Sequence, residues 1–195
     1  MTAVVVPPDA LRIALLLGLA AHKGLWEVLK RREGAPGPAQ SGGAGSRLVK
    51  LVKMAVLAFL LVQTLCLDLL PISRDPGALR FVGAGIFAVG LATAMSARVQ
   101  LGRNWADIEA AGVRAGQSVV EHGIYRYIRH PIYAGDLLLL IGLELALSSW
   151  LVVGVALPAA VVVQRTLTEE TLLARRLPGY RAYCARTKRF IPFVL

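Results

Sequence analysis

Residues 121–135 read E-H-G-I-Y-R-Y-I-R-H-P-I-Y-A-G, and a pair of acids, Glu169 and Glu170, follows beyond a long apolar run. Pro131 lacks an N–H and pushes His130 out of the helical region, so a helix starts at or just after it. The first turn of that helix directs unpaired N–H groups and a positive dipole end outward. With Arg126, Arg129 and His130 adding positive charge and donors, such a place suits a carboxylate or a phosphate. Tyr125, Tyr127 and Tyr133 each offer a flat apolar face with one polar end, fit for an aromatic base or for a membrane interface. Gly123 and Gly135 permit close backbone approach. A mere aromatic belt with snorkelling cations uses the same residue types, so spacing must separate the two readings.

The elements that position these residues follow from composition. Of 195 residues 56% are hydrophobic and 17% charged, and the mean hydropathy is +0.60. That balance is too apolar for an ordinary water-soluble domain, so an all-α, polytopic membrane protein is expected, one domain over residues 1–195. A crossing takes about 20 apolar helical residues. Five spans are predicted: 9–29, entered after Pro7 and Pro8; 49–70, stopped by Pro71; 78–97, with Gly83, Gly85 and Gly90 for close helix packing; and a tight hairpin of two helices within 132–163, turned at Ser148-Ser149-Trp150. Residues 1–97 would hold three spans and 98–195 the chemistry. Residues 30–48 have the Gly, Pro and Ser density of a flexible loop. The start of the chain lacks the basic stretch and cleavage site of a signal peptide, so the first apolar block is kept as structure.

The net charge of +10 belongs to loops between apolar spans, which points to topology and anionic headgroups and away from nucleic acid. Lys30, Arg31, Arg32, Arg47, Lys50 and Lys53 flank the first loop, and Arg98, Arg103, Arg114, Arg126 and Arg129 the third. Further cations fill the tail, whereas the other two connections hold only Arg74 and Arg80. Five spans then place the N-terminus outside and the third loop and C-terminus in the cytoplasm. Cys66 and Cys184 are too few for a metal site and unsuited to a disulfide. Acids inside spans turn inward, so Asp136 and Glu144 are pocket candidates, while His22 and His122 read as interface residues. A helix before Pro178 and another after Gly179, the latter with Tyr180 and Tyr183 on one face, should close the site, with Phe190 packing inward.

The order G-x-Y-R-Y-x-R-H-P-x-Y-x-G resembles the signature of the isoprenylcysteine carboxyl methyltransferase family, whose wider superfamily includes phospholipid N-methyltransferases. The likeness extends to L-G-R-N-W at 101–105, the acids at 169 and 170, G-Y-R-A-Y at 179–183 and R-F-I-P at 189–192. It implies a membrane methyltransferase using S-adenosylmethionine without a dinucleotide-binding domain, and no glycine-rich loop after a strand is seen. The resemblance carries cofactor contacts onto Gln117, Ser118, Val119, Val120, Tyr125, Arg129, His130, Pro131, Ile132, Tyr133, Glu169 and Glu170, and a substrate-binding role onto Arg165. It implies as acceptor the carboxylate of a prenylated cysteine, with a phospholipid amine or a small lipophilic compound as the alternative. A non-enzymatic scaffold is the rival from another class. All of this requires His130 and Glu170, distant along the chain, to meet in one pocket.

Overall fold

A computed structural model describes residues 4–5, 9–33, 44–73, 75–104 and 117–192. Within them lie β1 (Val4–Val5), α1 (Ala10–Arg32), α2 (Ala44–Cys66), β2 (Leu67–Asp68), α3 (Gly77–Leu101), α4 (Pro131–Ala146), α5 (Ala156–Arg176) and α6 (Tyr180–Arg186). The two short strands pair antiparallel, Val4 with Asp68 and Val5 with Leu67, a small departure from the expected all-α chain. Pro7, Pro8, Arg74, Trp105 and Arg114, singled out above, fall outside the described residues. Asp9 is the N-cap of α1, accepting from the Arg12 N–H at 2.9 Å.

Among the described residues, two stretches suffice for a membrane crossing by length and apolar content, Gly77–Asn104 and Trp150–Arg176, with Met54–Cys66 a shorter apolar helix. α4 has only 16 residues, short of a full crossing. The outer surface is nonetheless strongly apolar: Phe81 is 81% and Leu157 76% exposed, with Leu17, Met54 and Val153 exposed beside them. Such a surface belongs in lipid, not water.

Several boundaries differ from expectation. α2 begins at Ala44, inside the stretch read as flexible loop, because Gly45 and Ser46 do not break a helix once the apolar run behind them is helical. α4 and α5 are joined by a turn at Leu147–Ser149 and a 3-10 segment, Trp150–Val155, and the close partner of α4 is α3, not α5; the hairpin is not tight. The reason is a glycine stripe. A Cβ added at Gly83, Gly90, Gly135 or Gly142 would come within 3.0 Å of backbone on the facing helix, so α3 and α4 touch backbone to backbone. Gly85, expected in that contact, faces open space. Leu15, Leu19, Phe87, Leu139, Leu143, Ala146 and Leu147 form the core that joins α1 to this pair.

The two ends of the bundle are pinned differently. At one, Arg12 donates to the carbonyls of Gln63 and Thr64 at 3.0 and 3.1 Å and pairs with Asp68, closing the end of α2. At that same end Ile72 N–H donates to Ser148 O at 2.7 Å and Trp150 N–H to Leu70 O at 2.9 Å. At the other end the fully buried Arg98 grips Glu33 with two bonds of 3.0 and 2.7 Å, locking α1 to α3. Arg98→Ala strands the nearly buried Glu33 carboxylate and should cost about 3 kcal/mol, read as a lowered Tm in detergent.

Candidate functional site

The Arg-His-Pro stretch and the acid pair gather at the Arg98 end, whereas Glu144 lies at the other, against Gln63. Gly123 opens a 3-10 turn, Gly123–Arg126, with φ at +59°. Gln100, near the end of α3, accepts from the Ile124 N–H at 2.8 Å in the space where a Cβ on Gly123 would sit. Only glycine serves both demands.

The segment that follows pairs with the tail. Ile128 and Lys188 form a parallel bridge, with Arg129 N–H donating to Lys188 O at 2.7 Å, His130 N–H to Arg189 O at 3.0 Å and Lys188 N–H to Tyr127 O at 3.1 Å. Main-chain bonds thus stitch the Arg-His-Pro motif to R-F-I-P. Beneath them Leu177, Tyr180 and Tyr183 form a second buried cluster, with Val119 packed on it. The Tyr183 hydroxyl donates to Tyr125 O at 2.8 Å. Burial pushes the Tyr125, Tyr180 and Tyr183 phenols up, so they remain protonated donors at any physiological pH.

α4 starts with Pro131 at its first position and no side-chain cap from His130. The imidazole instead points at α5. Its Nε2 lies 3.2 Å from Glu170 Oε1, the oxygen to which Arg129 Nε donates at 2.8 Å, while Arg189 Nε donates to Oε2 at 3.1 Å. Arg129 also reaches the carbonyls of Cys184 and Thr187. One carboxylate therefore organises three basic side chains from two distant parts of the chain. Beside it the Tyr133 hydroxyl lies 3.4 Å from Glu169 and next to Arg165. Tyr133 and Phe190 flank the His130 ring at 5.8 and 5.9 Å between centroids.

Of the residues expected at a cofactor, Arg129, His130, Tyr133, Glu169 and Glu170 are brought together, with Pro131 and Ile132 forming the first turn of α4 and Arg165 alongside. Gln117 and Ser118 are tied to Asn104, Val119 packs on the tail cluster, Val120 is half-buried, and Tyr125 contributes its carbonyl. Asp136 bonds to His22 at 3.0 Å and Glu144 accepts from Gln63 at 2.8 Å; His22, read above as a simple interface residue, is thus half of a pair. The close backbone approach expected of Gly135 is made to α3. The helix expected before Pro178 is the end of α5 itself, since no breaker interrupts residues 159–176. Gln100, Arg189 and the backbone of 187–189 were not assigned a role from sequence; only the R-F-I-P match marked that region.

The model of one family, phospholipid methyltransferase, matches residues 79–178, from α3 through the motif and both acids. The chain belongs to that family. Among its relatives, a cobalt-zinc-cadmium resistance protein, CzcN, of Cupriavidus metallidurans is 33% identical over 113 residues, 55% of this chain and 47% of that protein. A nickel-cobalt-cadmium resistance protein, NccN, of Alcaligenes xylosoxydans xylosoxydans is 29% identical over 117 residues, 57% of this chain and 52% of that protein. The chain thus spans about half the length of these curated relatives. In fold, it is similar to the eukaryotic intramembrane Ras methyltransferase, isoprenylcysteine carboxyl methyltransferase, with a TM-score of 0.59 at 18% identity over 95% of this chain and 69% of that one. Among the described residues no group of three His, Cys, Asp or Glu gathers that could hold a metal ion.

Proposed function

We propose that this chain transfers a methyl group from S-adenosylmethionine to a lipid-like acceptor arriving from the bilayer. The observation that carries the reading is the meeting of His130 and Glu170 at 3.2 Å, between elements 40 residues apart, at the uncapped start of α4.

The donor set suits the cofactor. The first-turn N–H groups of α4 with Arg129 and Arg189 would take its carboxylate. Glu170 Oε2 is held by the half-exposed Arg189 and can accept from a ribose hydroxyl, and Tyr133 and Phe190 supply aromatic faces for adenine. Bound there, S-adenosylmethionine would supply an electrophilic methyl on a sulfonium. What the protein contributes is alignment and exclusion of water, which account for most of the rate of such a displacement. The tail stitched over the motif by Ile128 and Lys188 supports both.

For the acceptor, the resemblance and the fold favour the carboxylate of a prenylated cysteine, with Arg165 as its counter-ion, whereas the matching family favours a phospholipid headgroup. Five spans with the N-terminus outside and the site cytoplasmic agree with the cations gathered at the Arg98 end. Calorimetric titration with S-adenosylhomocysteine tests the core of the reading, and absence of binding in both detergent and lipid leaves the scaffold. Labelled-methyl assays with N-acetyl-S-farnesylcysteine and with phosphatidylethanolamine separate the acceptors, base-labile label marking the ester. Arg165→Ala should raise the KM of a carboxylate acceptor about 10-fold, the loss of one charge-assisted bond, at unchanged S-adenosylhomocysteine affinity.

A further inference from the structure

Resting on that reading, we propose that His22, oriented by Asp136, is the proton acceptor for an amine-bearing lipid substrate. A carboxylate acceptor is already anionic and needs no base. An ammonium must lose a proton before its nitrogen can take a methyl, and in the Glu170 cluster the imidazole of His130, its side chain only 5% exposed between Glu170 and two aromatic rings, is closed to a substrate amine.

The His22–Asp136 pair lies elsewhere on α4. Asp136 follows Tyr133 by three residues, so the two side chains project from neighbouring positions on one side of the helix. Tyr133 leans toward Glu169 on α5, and Asp136 meets α1 through His22 Nε2 at 3.0 Å. The pair sits where α1 changes character: Leu15 and Leu19 belong to the core, and His22 is followed by Lys23, Glu27 and Lys30. In a bilayer, a change from apolar to charged residues along a helix falls at headgroup depth. Both partners are reachable, with side chains 24% and 40% exposed. Trp26 stacks on the imidazole at 4.0 Å between centroids and fixes its plane.

In the tautomer that donates Nε2–H to Asp136 the lone pair stands on Nδ1, which has no hydrogen-bond partner among the described residues. In the step, an N–H bond of the substrate ammonium breaks and its proton passes to Nδ1, giving an imidazolium that faces the Asp136 carboxylate. The pair left on nitrogen bonds the methyl carbon as the carbon–sulfur bond breaks, the electrons of that bond staying on sulfur. This is the base-and-orienter arrangement of general-base catalysis. Asp136 on α4 is the ring's ionisable partner, and its ionisable neighbours along α1 are Lys23 and Glu27, paired with each other.

The test uses the full chain in phosphatidylethanolamine-containing vesicles. His22→Gln should lower kcat for phosphatidylethanolamine about 100-fold at neutral pH, with S-adenosylhomocysteine affinity unchanged and the deficit shrinking as pH rises toward the amine's own pKa. Methylation of N-acetyl-S-farnesylcysteine should be untouched by the same substitution. Nitrogen-15 spectra of the wild-type protein should show the His22 Nδ1 signal shifting with phosphatidylethanolamine vesicles but not with phosphatidylcholine vesicles. A deficit equal at every pH, an Nδ1 signal indifferent to the amine lipid, or wild-type methylation of the carboxylate acceptor alone or of neither overturns the assignment. Loss of S-adenosylhomocysteine binding by the wild type would instead remove the methyltransferase reading beneath it.

Discussion

Glu170→Gln should lower affinity for S-adenosylhomocysteine about 100-fold, as read by titration calorimetry. The carboxylate accepts from Arg129, His130 and Arg189 together. An amide keeps one acceptor oxygen and turns two donors toward cations, so Arg129, nearly buried, is left facing Arg189 without neutralisation. A ligand that places hydroxyls beside this acid loses both its acceptor and the alignment of His130. His130→Ala should cost a similar factor. Because both substitutions act on one oxygen, the double variant should be little worse than either single one. Normal affinity in both single variants would show that the cofactor lies elsewhere.

Gly142→Leu should destabilise the protein by at least about 3 kcal/mol, seen as a collapse of Tm and of the monodisperse peak in detergent. Even a Cβ at this position would run into the Phe87 backbone. That contact is main chain against main chain, so no side-chain rotamer can make room and the helices must part. The matched control is Gly85→Leu on the partner helix, where nothing stands within 4 Å, and it should change stability by less than about 0.5 kcal/mol. Equal behaviour of the two variants would mean that α3 and α4 are not in backbone contact.

These two cases also mark what a reader of the sequence can and cannot see. The convergence of His130 with Glu170 was legible, because Pro131 fixes where a helix begins and an apolar out-and-back excursion returns the acids to the same end. That glycines on α3 serve packing was legible too, but not which ones: Gly83 and Gly90 are seven residues apart and share a face, and Gly85 falls off it. Pairing between residues 127–130 and 188–189 leaves no mark in side-chain chemistry, since it is made of main-chain bonds. The His22–Asp136 contact spans 114 positions, and two polar residues on separate apolar helices do not announce that they face each other. The start of α2 was misplaced because glycine density was read as a loop, while the helix behind it carries the turn along.

The stitching of the motif to the tail has a consequence for biosynthesis. Arg129 takes carbonyls at Cys184 and Thr187, the latter 58 positions further on, so the pocket is an unfinished half while translation is still spelling out α5 and α6. The hydrophobic helices can enter the bilayer one after another as they emerge. The pairing of motif and tail, by contrast, can form only once Lys188 and Arg189 have left the ribosome. A nascent chain halted at residue 180 would already be a membrane resident with residues 127–130 still unpaired.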